Sequence, residues 1–330
     1  MSEAYDTTET YEAEQSEPVL PARTPLQESW RLLRQNRLAM GGLVMFVLFF
    51  VISVAGVFLT TEWHPQRPPL MNPRTTRLPD KLRQPLARYN AEALRDDQRP
   101  LGGIYVLGTD SLGRDVLSRM LQGAWVSLTV GFVAVGISVL LGIVIGGMAG
   151  YWGKWVEMFV IWLIDVMLCI PRFILILTVL ALWGPGLFRI MFIVGLTSWM
   201  GTARFVRAEF LSLREQDFVT AARSLGASDI RIIFRHMLPN ALAPVLVSAT
   251  IGIAGAILLE AGLSFLGFGV PEPHATWGKI LDDGRKYLFD APWLTFIPGV
   301  AILIVVLSFN LFGEGLRDAF NPKLREGEPA

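Results

Sequence analysis

The residue types that most often carry enzymatic chemistry are sparse and scattered in this chain. Its three histidines, His64, His236 and His274, lie far apart in polar segments, and no H-E-x-x-H pattern places two of them on one helix face. The Gly-Leu-Ser run at 262–264 does not continue into the G-x-S-x-G pattern of a serine nucleophile. The sequence therefore disfavours a membrane hydrolase and predicts no catalytic residue.

The sequence also contains no pattern for binding nucleotide phosphates or clustering metal ligands. The Gly-Lys pairs at 153–154 and 278–279 are followed by Trp155 and Ile280, so neither belongs to a G-x-x-x-x-G-K-[ST] loop. The lone cysteine, Cys169, lies in a hydrophobic stretch, which excludes a disulfide framework and a cysteine-based metal cluster. We therefore expect this chain to carry no cofactor and no metal.

Four polar residues fall within or beside hydrophobic stretches: Asp165, Arg172, Glu260 and Asn310. Such side chains are costly when they face lipid, so they are expected to line a solute path, contact a partner subunit or be satisfied internally. The internal, structural role is the favoured alternative. Asp165 and Arg172, seven residues apart, are expected on similar faces of one helix, and Glu260 at an outer helix end that water reaches.

The elements that position these residues are long hydrophobic stretches. The chain is 52% hydrophobic and 18% charged, with a net charge of +0 that gives no reason to expect nucleic acid as a partner. At about 1.5 Å per residue, about 20 apolar residues cross a bilayer core of about 30 Å. The sequence predicts an all-α membrane protein with six spans, at 38–60, ~125–150, ~156–182, ~187–203, ~241–263 and ~291–313.

The remaining segments predict the topology. Residues 1–24 are acidic and are predicted to form a disordered tail, and residues 25–37, with Trp30 and Leu33, an interfacial helix. The loop at 61–122 is long enough to translocate regardless of its charge. Without that loop, fourteen basic residues lie on the side of the termini and four on the other, so we expect both termini to be cytoplasmic.

Local signals add detail within these elements. Thr109 or Asp110 is predicted to cap the helix that enters the second span, and Pro171 to kink the third. Small-residue spacing in the second span predicts close approach of another helix. The glycines with this spacing are Gly142, Gly146, Gly147 and Gly150.

The charged segment at 204–240 is patterned like a small folded unit between two spans. A helical stretch leads to Gly226, where a turn with positive φ is expected. Ser228 is placed to cap a second helix, and Asp229 suits the positive end of that helix. The Leu-Pro pair at 238–239 is predicted to end it before the fifth span.

Three interpretations of this segment differ in what it contacts. A DNA-binding helix-turn-helix has similar spacing, but both flanks here are tethered to membrane spans. A passive hairpin would lie on lipid headgroups, with its arginines at the phosphates. The favoured interpretation is a docking element for a soluble partner.

The stretch VTAARSLGASDIRIIFRHMLPN at 219–240 resembles the signature loop of bacterial ABC importer permeases, in which Glu-Ala-Ala, a later glycine and Leu-Pro recur. Thr220 stands where that family has glutamate. Segments 107–124, 165–173, 259–273 and 309–324 are also similar to the second permease subunit of the dipeptide/oligopeptide/nickel ABC importers.

The resemblance implies a type I importer permease whose loop carries a cytoplasmic coupling helix. It implies pairing with a second homologous permease, two cytoplasmic ABC ATPase subunits that bind ATP and Mg²⁺, and an extracytoplasmic solute-binding protein. The segments at 61–122 and 271–293 are expected to face that binding protein or to cover the bundle. In the loop at 204–240, the residues that the resemblance implies dock the ATPase are Phe218, Thr220, Ala221, Ala222, Leu225, Gly226, Leu238 and Pro239.

The expected location is the bacterial inner membrane, and the expected solutes are di- and oligopeptides. Members of the same family also transport nickel and glutathione-like solutes, so these solutes are kept as alternatives to peptides. Two rivals from other classes are an ion-driven secondary transporter and a membrane-bound regulatory protein, although the internal repeats typical of many secondary transporters are not evident.

Overall fold

The structure is a computed structural model that describes residues 25–62, 69–95 and 98–320, so the predicted acidic tail at 1–24 lies outside the described residues. Its helices are α1 (Pro25–Gln35), α2 (Arg37–Thr60), α3 (Val116–Trp152), α4 (Lys154–Leu168), α5 (Arg172–Trp183), α6 (Leu187–Leu196), α7 (Trp199–Arg214), α8 (Asp217–Ser224), α9 (Asp229–Ile232), α10 (Leu238–Phe265), α11 (Trp277–Arg285) and α12 (Trp293–Phe320). A π-helical turn, Ile233–Met237, joins α9 to α10, and two short strands, β1 (Ala87–Arg88) and β2 (Ile104–Tyr105), pair antiparallel.

Four helical units of the described chain are long and apolar enough to cross a membrane: α2, α3, the continuous unit Asp229–Phe265 and α12. Because a lipid-facing backbone must satisfy its own hydrogen bonds, such runs form helices. A fifth candidate is the pair α4 and α5, which is bent by 76°. The count of four, or five with the bent pair, is below the six spans predicted.

The difference arises in the third and fourth predicted spans. The helix at 156–182 breaks between α4 and α5, which confirms the kink predicted at Pro171, a residue that cannot continue the hydrogen-bond ladder. The stretch at 187–203 is not one helix but α6 and α7, separated at Thr197 and Ser198. Both hydroxyls donate to carbonyls one turn back, on Ile193 and Val194, a competition that bends helices.

Helix α3 lies at the centre of the bundle and contacts α2, α6, α7 and α10. Its glycines allow α7 to come very close. A Cβ built on Gly142 would lie 2.5 Å from the Thr202 Cβ, and one on Gly146 only 2.3 Å from the Ala203 carbonyl oxygen. The close approach predicted from the glycine spacing is therefore confirmed, with α7 as the partner.

Packing contacts define two ends of the bundle. Leu33 of α1 and Ala39 of α2 form a buried cluster with Ala319 of α12. At the opposite end of α2, a Cβ on Gly56 would lie 2.5 Å from the Leu121 carbonyl oxygen near the start of α3. We call the end with α1, residues 151–154 and the helical hairpin at 215–237 the hairpin end, and the end with residues 61–62, 69–95, 98–115 and 266–293 the far end.

The far end is a folded layer rather than a loose loop. The Asp80 carboxylate accepts from the Tyr105 hydroxyl at 2.8 Å and from the Asn90 amide at 3.1 Å. The cap of α3 is Asp115, which accepts from the Ser118 amide at 2.9 Å, so the prediction of Thr109 or Asp110 at this position is wrong. Those two side chains are already engaged within the far-end layer, in contacts that secondary-structure signals do not encode.

An ion-pair network joins the two far-end segments. Arg114 donates to Asp110 at 2.7 Å and to Glu272 at 2.8 Å, and Arg119 donates to Asp110 at 2.8 Å and to Asp283 at 3.2 Å. Burial raises the pKa of the Asp283 carboxyl. The network fixes α11 against the start of α3, because both arginine side chains are almost completely buried.

Candidate functional site

Residues 215–237 form a helical hairpin made of α8, a turn, α9 and the π-helical turn. Helix α8 has two apolar faces. Val219 is completely buried and Ala222 is half-buried, whereas Phe218, Ala221 and Leu225 are exposed, with Leu225 88% exposed. Of the apolar residues that the family resemblance assigns to docking, Ala222 turns inward beside Val219, whereas Phe218, Ala221 and Leu225 face solvent.

The turn of the hairpin is a complete Schellman motif. The Ala227 amide donates to the Ala222 carbonyl at 3.1 Å, and the Gly226 amide donates to the Arg223 carbonyl at 3.0 Å. Gly226 has φ of +78°, which confirms the positive φ expected there. The motif ends α8 cleanly and aims the chain into α9.

The second half of the hairpin differs from its prediction in two respects. Ser228 occupies the N-cap position of α9, but its side chain makes no capping hydrogen bond. The Leu238-Pro239 pair does not end the helix, since α9, the π-helical turn and α10 run on without a break. In the π-helical turn before Pro239, the Leu238 amide donates to the Ile233 carbonyl, one residue further back than in an α-helix. Pro239 follows Leu238 directly, so the shifted hydrogen bonding lies beside the residue that cannot donate.

The inner face of the hairpin is anchored to the ends of the long helices. Val219, Ile232 and Met237 are completely buried in one cluster with Phe210 of α7. The Asp229 carboxylate accepts from the hydroxyl of Tyr151, at the end of α3, at 2.5 Å. The hairpin is therefore held as one body with α3, α7 and the start of α10.

The outer face presents an apolar patch to solvent. Phe218, Leu225, Ile230 and Phe234 are all exposed, with Ile230 71% exposed and Phe234 65% exposed. The sequence interpretation missed Ile230 and Phe234, although their i, i+4 spacing was a usable signal. Several exposed apolar side chains on one short hairpin, with arginines among them, are typical of an interaction site. The exposed arginines along the hairpin are Arg223, Arg231 and Arg235.

Thr220 occupies the position of the family glutamate. Its side chain is exposed, and its hydroxyl donates back to the Gln216 carbonyl at 3.1 Å. The side chain therefore serves its own helix and carries no charge toward a partner.

The structure does not bring the four predicted polar residues together. Asp165 pairs with Arg204 of α7, and both side chains are about half exposed. Arg172 donates to the Ser198 hydroxyl at 2.5 Å. The prediction that Asp165 and Arg172 share a helix face is wrong, because the 76° bend lies between them. Asn310 lies exposed on α12.

Glu260 lies in the interior and not at a wet helix end, so that expectation is also wrong. Its side chain is completely buried and accepts from the Ser264 hydroxyl at 2.6 Å and the Ser127 hydroxyl at 3.3 Å. Ser264 also lies 3.5 Å from the Thr276 hydroxyl. Glu260 thus connects α10 to α3 directly, and to the cap of α11 through Ser264.

Comparison with known proteins places these features in a family. A family model described as "Binding-protein-dependent transport system inner membrane component" matches residues 142–326, and one for the "N-terminal TM domain of oligopeptide transport permease C" matches residues 24–81. The chain is 36% identical to the dipeptide transport system permease protein DppC of Alkalihalophilus pseudofirmus over 92% of each chain. It is 46% identical to a putative peptide transport system permease of Brucella suis, over 72% of this chain and 79% of that relative.

Among solved structures, a chain of the MetNI methionine ABC transporter superposes with a TM-score of 0.47 and 22% identity, covering 60% of this chain and 95% of that chain. The family model covers more than half of the chain and includes the hairpin, both halves of the fourth predicted span, and the helices α10 to α12. The chain belongs to the family of binding-protein-dependent transport system inner membrane components.

Proposed function

We propose that this chain is the permease subunit of an ABC importer for short peptides, and that a cytoplasmic ATPase docks on the outer face of the helical hairpin. One observation carries the proposal. Helix α8 exposes Phe218 and Leu225 while its opposite face is completely buried at Val219. An amphipathic helix that presents a free apolar face suits a groove on a partner.

The anchoring of the hairpin supports a role in transmitting motion. A force on α8 acts directly on α3, α7 and α10, because the inner face shares one buried cluster with them. Packed helices move as rigid bodies, whereas a loose loop would absorb the displacement. ATP and Mg²⁺ are bound by the ATPase partners in this proposal, and the hairpin passes the energy of hydrolysis to the membrane helices.

The proposed topology has both termini in the cytoplasm and six passages through the inner membrane. The clustering of Leu33 with Ala319 supports a shared side for the two termini. The bent pair α4 and α5 would make the third passage. Leu187, at the start of α6, lines a far-end cavity with Glu62, and Arg214, at the end of α7, contacts the Tyr151 carbonyl at the hairpin end. These contacts support a fourth passage built from α6 and α7.

The proposal includes two further partners, a solute-binding protein and a second permease. The far end would face the extracytoplasmic solute-binding protein, and a second homologous permease would complete the path. Relatives named as dipeptide transport permeases, 36% identical over 92% of this chain, support peptides as the solute. Nickel complexes and glutathione-like solutes are the alternatives that the transport assay distinguishes.

The variant Leu225→Glu tests ATPase docking on the hairpin. Its side chain is 88% exposed, so the change should leave the fold intact and place a charge in the proposed apolar contact. We expect co-purifying ATPase and ATP-dependent peptide uptake to fall by roughly tenfold or more, the effect of losing a central interface contact. Leu101→Glu is the matched control for ATPase co-purification, since Leu101 is 62% exposed at the far end, away from the proposed docking face.

Equal ATPase co-purification with Leu225→Glu and with Leu101→Glu would contradict docking at the hairpin. An ion-driven transporter would continue to import solute when the ATPase partners are inactivated by mutation. A regulatory protein would show no vectorial uptake under any condition.

A further inference from the structure

A cavity of about 350 Å³ opens at the far end between the end of α2, the start of α3 and the start of α6. Ligand pockets for small molecules have volumes of about 300–1,000 Å³, so the space is sufficient for a dipeptide. Its lining includes Val57, Glu62, Arg74, Gln122, Trp125 and His274.

The cavity walls are fixed by hydrogen bonds. The side-chain Oε1 of Gln122 accepts from the Ala275 backbone amide at 2.9 Å, which joins α3 to the segment that carries His274. The Met71 amide donates to the Leu59 carbonyl at 3.0 Å and so holds the chain before Arg74 against the end of α2. A ligand would therefore enter a formed site.

Opposite charges lie on this lining without being paired to each other. Ion pairs of the far end use Asp80, Asp110, Glu272, Asp282 and Asp283 as acids, and none of those between described residues involves Glu62 or Arg74. Both side chains are exposed. A carboxylate and a guanidinium around one cavity complement a ligand that carries both charges itself.

We propose that this cavity receives a short peptide by its two charged termini, with Glu62 binding the ammonium group and Arg74 the carboxylate. The proposal rests on the peptide-import function proposed above. The Arg74 guanidinium offers the planar donor pair that carboxylates prefer. Val57 and Trp125 provide apolar surface for a peptide side chain.

The same lining fits a metal cation poorly. The cavity contributes one carboxylate and one imidazole, from Glu62 and His274. No group of three or more metal-binding side chains occurs among the residues that the structure describes. The exposure of both charges also implies weak binding, because solvent screens them, and weak binding suits a site that must pass its solute onward.

The experiment uses the complete transporter, purified in lipid nanodiscs without its solute-binding protein. A dipeptide with free termini and a photoreactive diazirine side chain is the probe, and labelled residues are mapped by mass spectrometry. We expect labelling of segments 57–62 and 122–126. The variant with Glu62→Gln and Arg74→Gln should be labelled about tenfold less, the effect of losing charged hydrogen bonds.

Glu92→Gln with Arg88→Gln is the matched control, because both residues are exposed in the same far-end layer but do not line the cavity. An unlabelled dipeptide should compete with the probe, whereas the N-acetylated, C-amidated dipeptide should not. Equal labelling of both double variants, equal competition by the capped peptide, or no labelling of the cavity would each overturn the site. Peptide uptake by the wild-type transporter is measured in parallel in closed membrane vesicles. Absence of that uptake, and not a labelling result, would contradict the transport function.

Discussion

Gly226 holds the turn of the hairpin in a backbone conformation that side chains disfavour. With φ of +78°, it supplies the left-handed residue that the Schellman motif requires. A Cβ at this position would have no heavy atom within 4 Å, so a substitution acts through the backbone and not through a clash. The Thr220 hydroxyl, six residues earlier, donates to the Gln216 carbonyl of its own helix, so the proposed docking contact relies on the apolar side chains.

The change Gly226→Val should disable the hairpin without affecting membrane insertion. A β-branched residue in the left-handed region is strained by about 1–3 kcal/mol, which should unfold the turn and misplace α8. We expect ATP-dependent uptake in membrane vesicles to be lost while the amount of inserted protein stays constant. Gly41→Val is the control, because Gly41 has open space around its Cβ and an ordinary helical backbone. Unchanged uptake in Gly226→Val would refute the role assigned to the turn.

At the scale of elements, the contact between α3 and α7 links the hairpin to the membrane core. Glycines on α3 let the α7 backbone approach closely, and the same α7 carries Phe210 into the cluster beneath the hairpin. The contact is made by backbone and small side chains, so it has no slack to absorb a displacement. A movement of α8 should therefore reach α3 with little loss.

Gly146→Leu should wedge this contact apart. Its Cβ would lie 2.3 Å from the Ala203 carbonyl oxygen, and backbone atoms cannot move aside as a flexible side chain would. We expect destabilisation of at least about 1–3 kcal/mol, seen as a lower melting temperature of the detergent-solubilised protein. Gly136→Leu, on the same helix with open space around it, should melt like the wild type. Identical melting of both variants would show that the two helices are not in close contact.

At the scale of the whole molecule, helices long and apolar enough to cross a membrane separate the far end from the hairpin end. The far end is fixed by buried ion pairs of Arg114 and Arg119, and the hairpin end by apolar burial around Val219. Breaking a buried ion network leaves uncompensated charge, which is costly. The segments that these ion pairs join are therefore expected to move as one rigid unit. The proposed function needs such a division, since solute arrives at one end and energy enters at the other.

The two ends should be reachable from opposite sides of the membrane. In a Cys169→Ser background, Leu101→Cys should react with a membrane-impermeant maleimide only from the periplasmic side. Leu225→Cys should react only after the inner membrane is opened. Both native side chains are well exposed, so access and not burial decides the result. Labelling of both positions from the same side would contradict the proposed topology.

The sequence by itself determined the features that depend on local covalent structure. Run lengths of apolar residues predicted the long helices, Pro171 predicted a break because proline cannot donate to the helix ladder, and Gly226 predicted a positive φ. The spacing of Gly142 and Gly146 predicted close helix approach, since a missing side chain leaves room on any partner. These outcomes needed no knowledge of what lay opposite.

Only the tertiary structure decided which face of each helix is covered. Periodicity shows that Ala222 and Leu225 share a stripe of α8, but the cluster at Phe210 decides that Ala222 faces inward and Leu225 faces solvent. In the same way, Glu260 is buried and accepts a hydrogen bond from Ser127, a residue that lies far away in the sequence. Burial and pairing depend on residues far apart in the chain, and spacing along one segment carries no record of them.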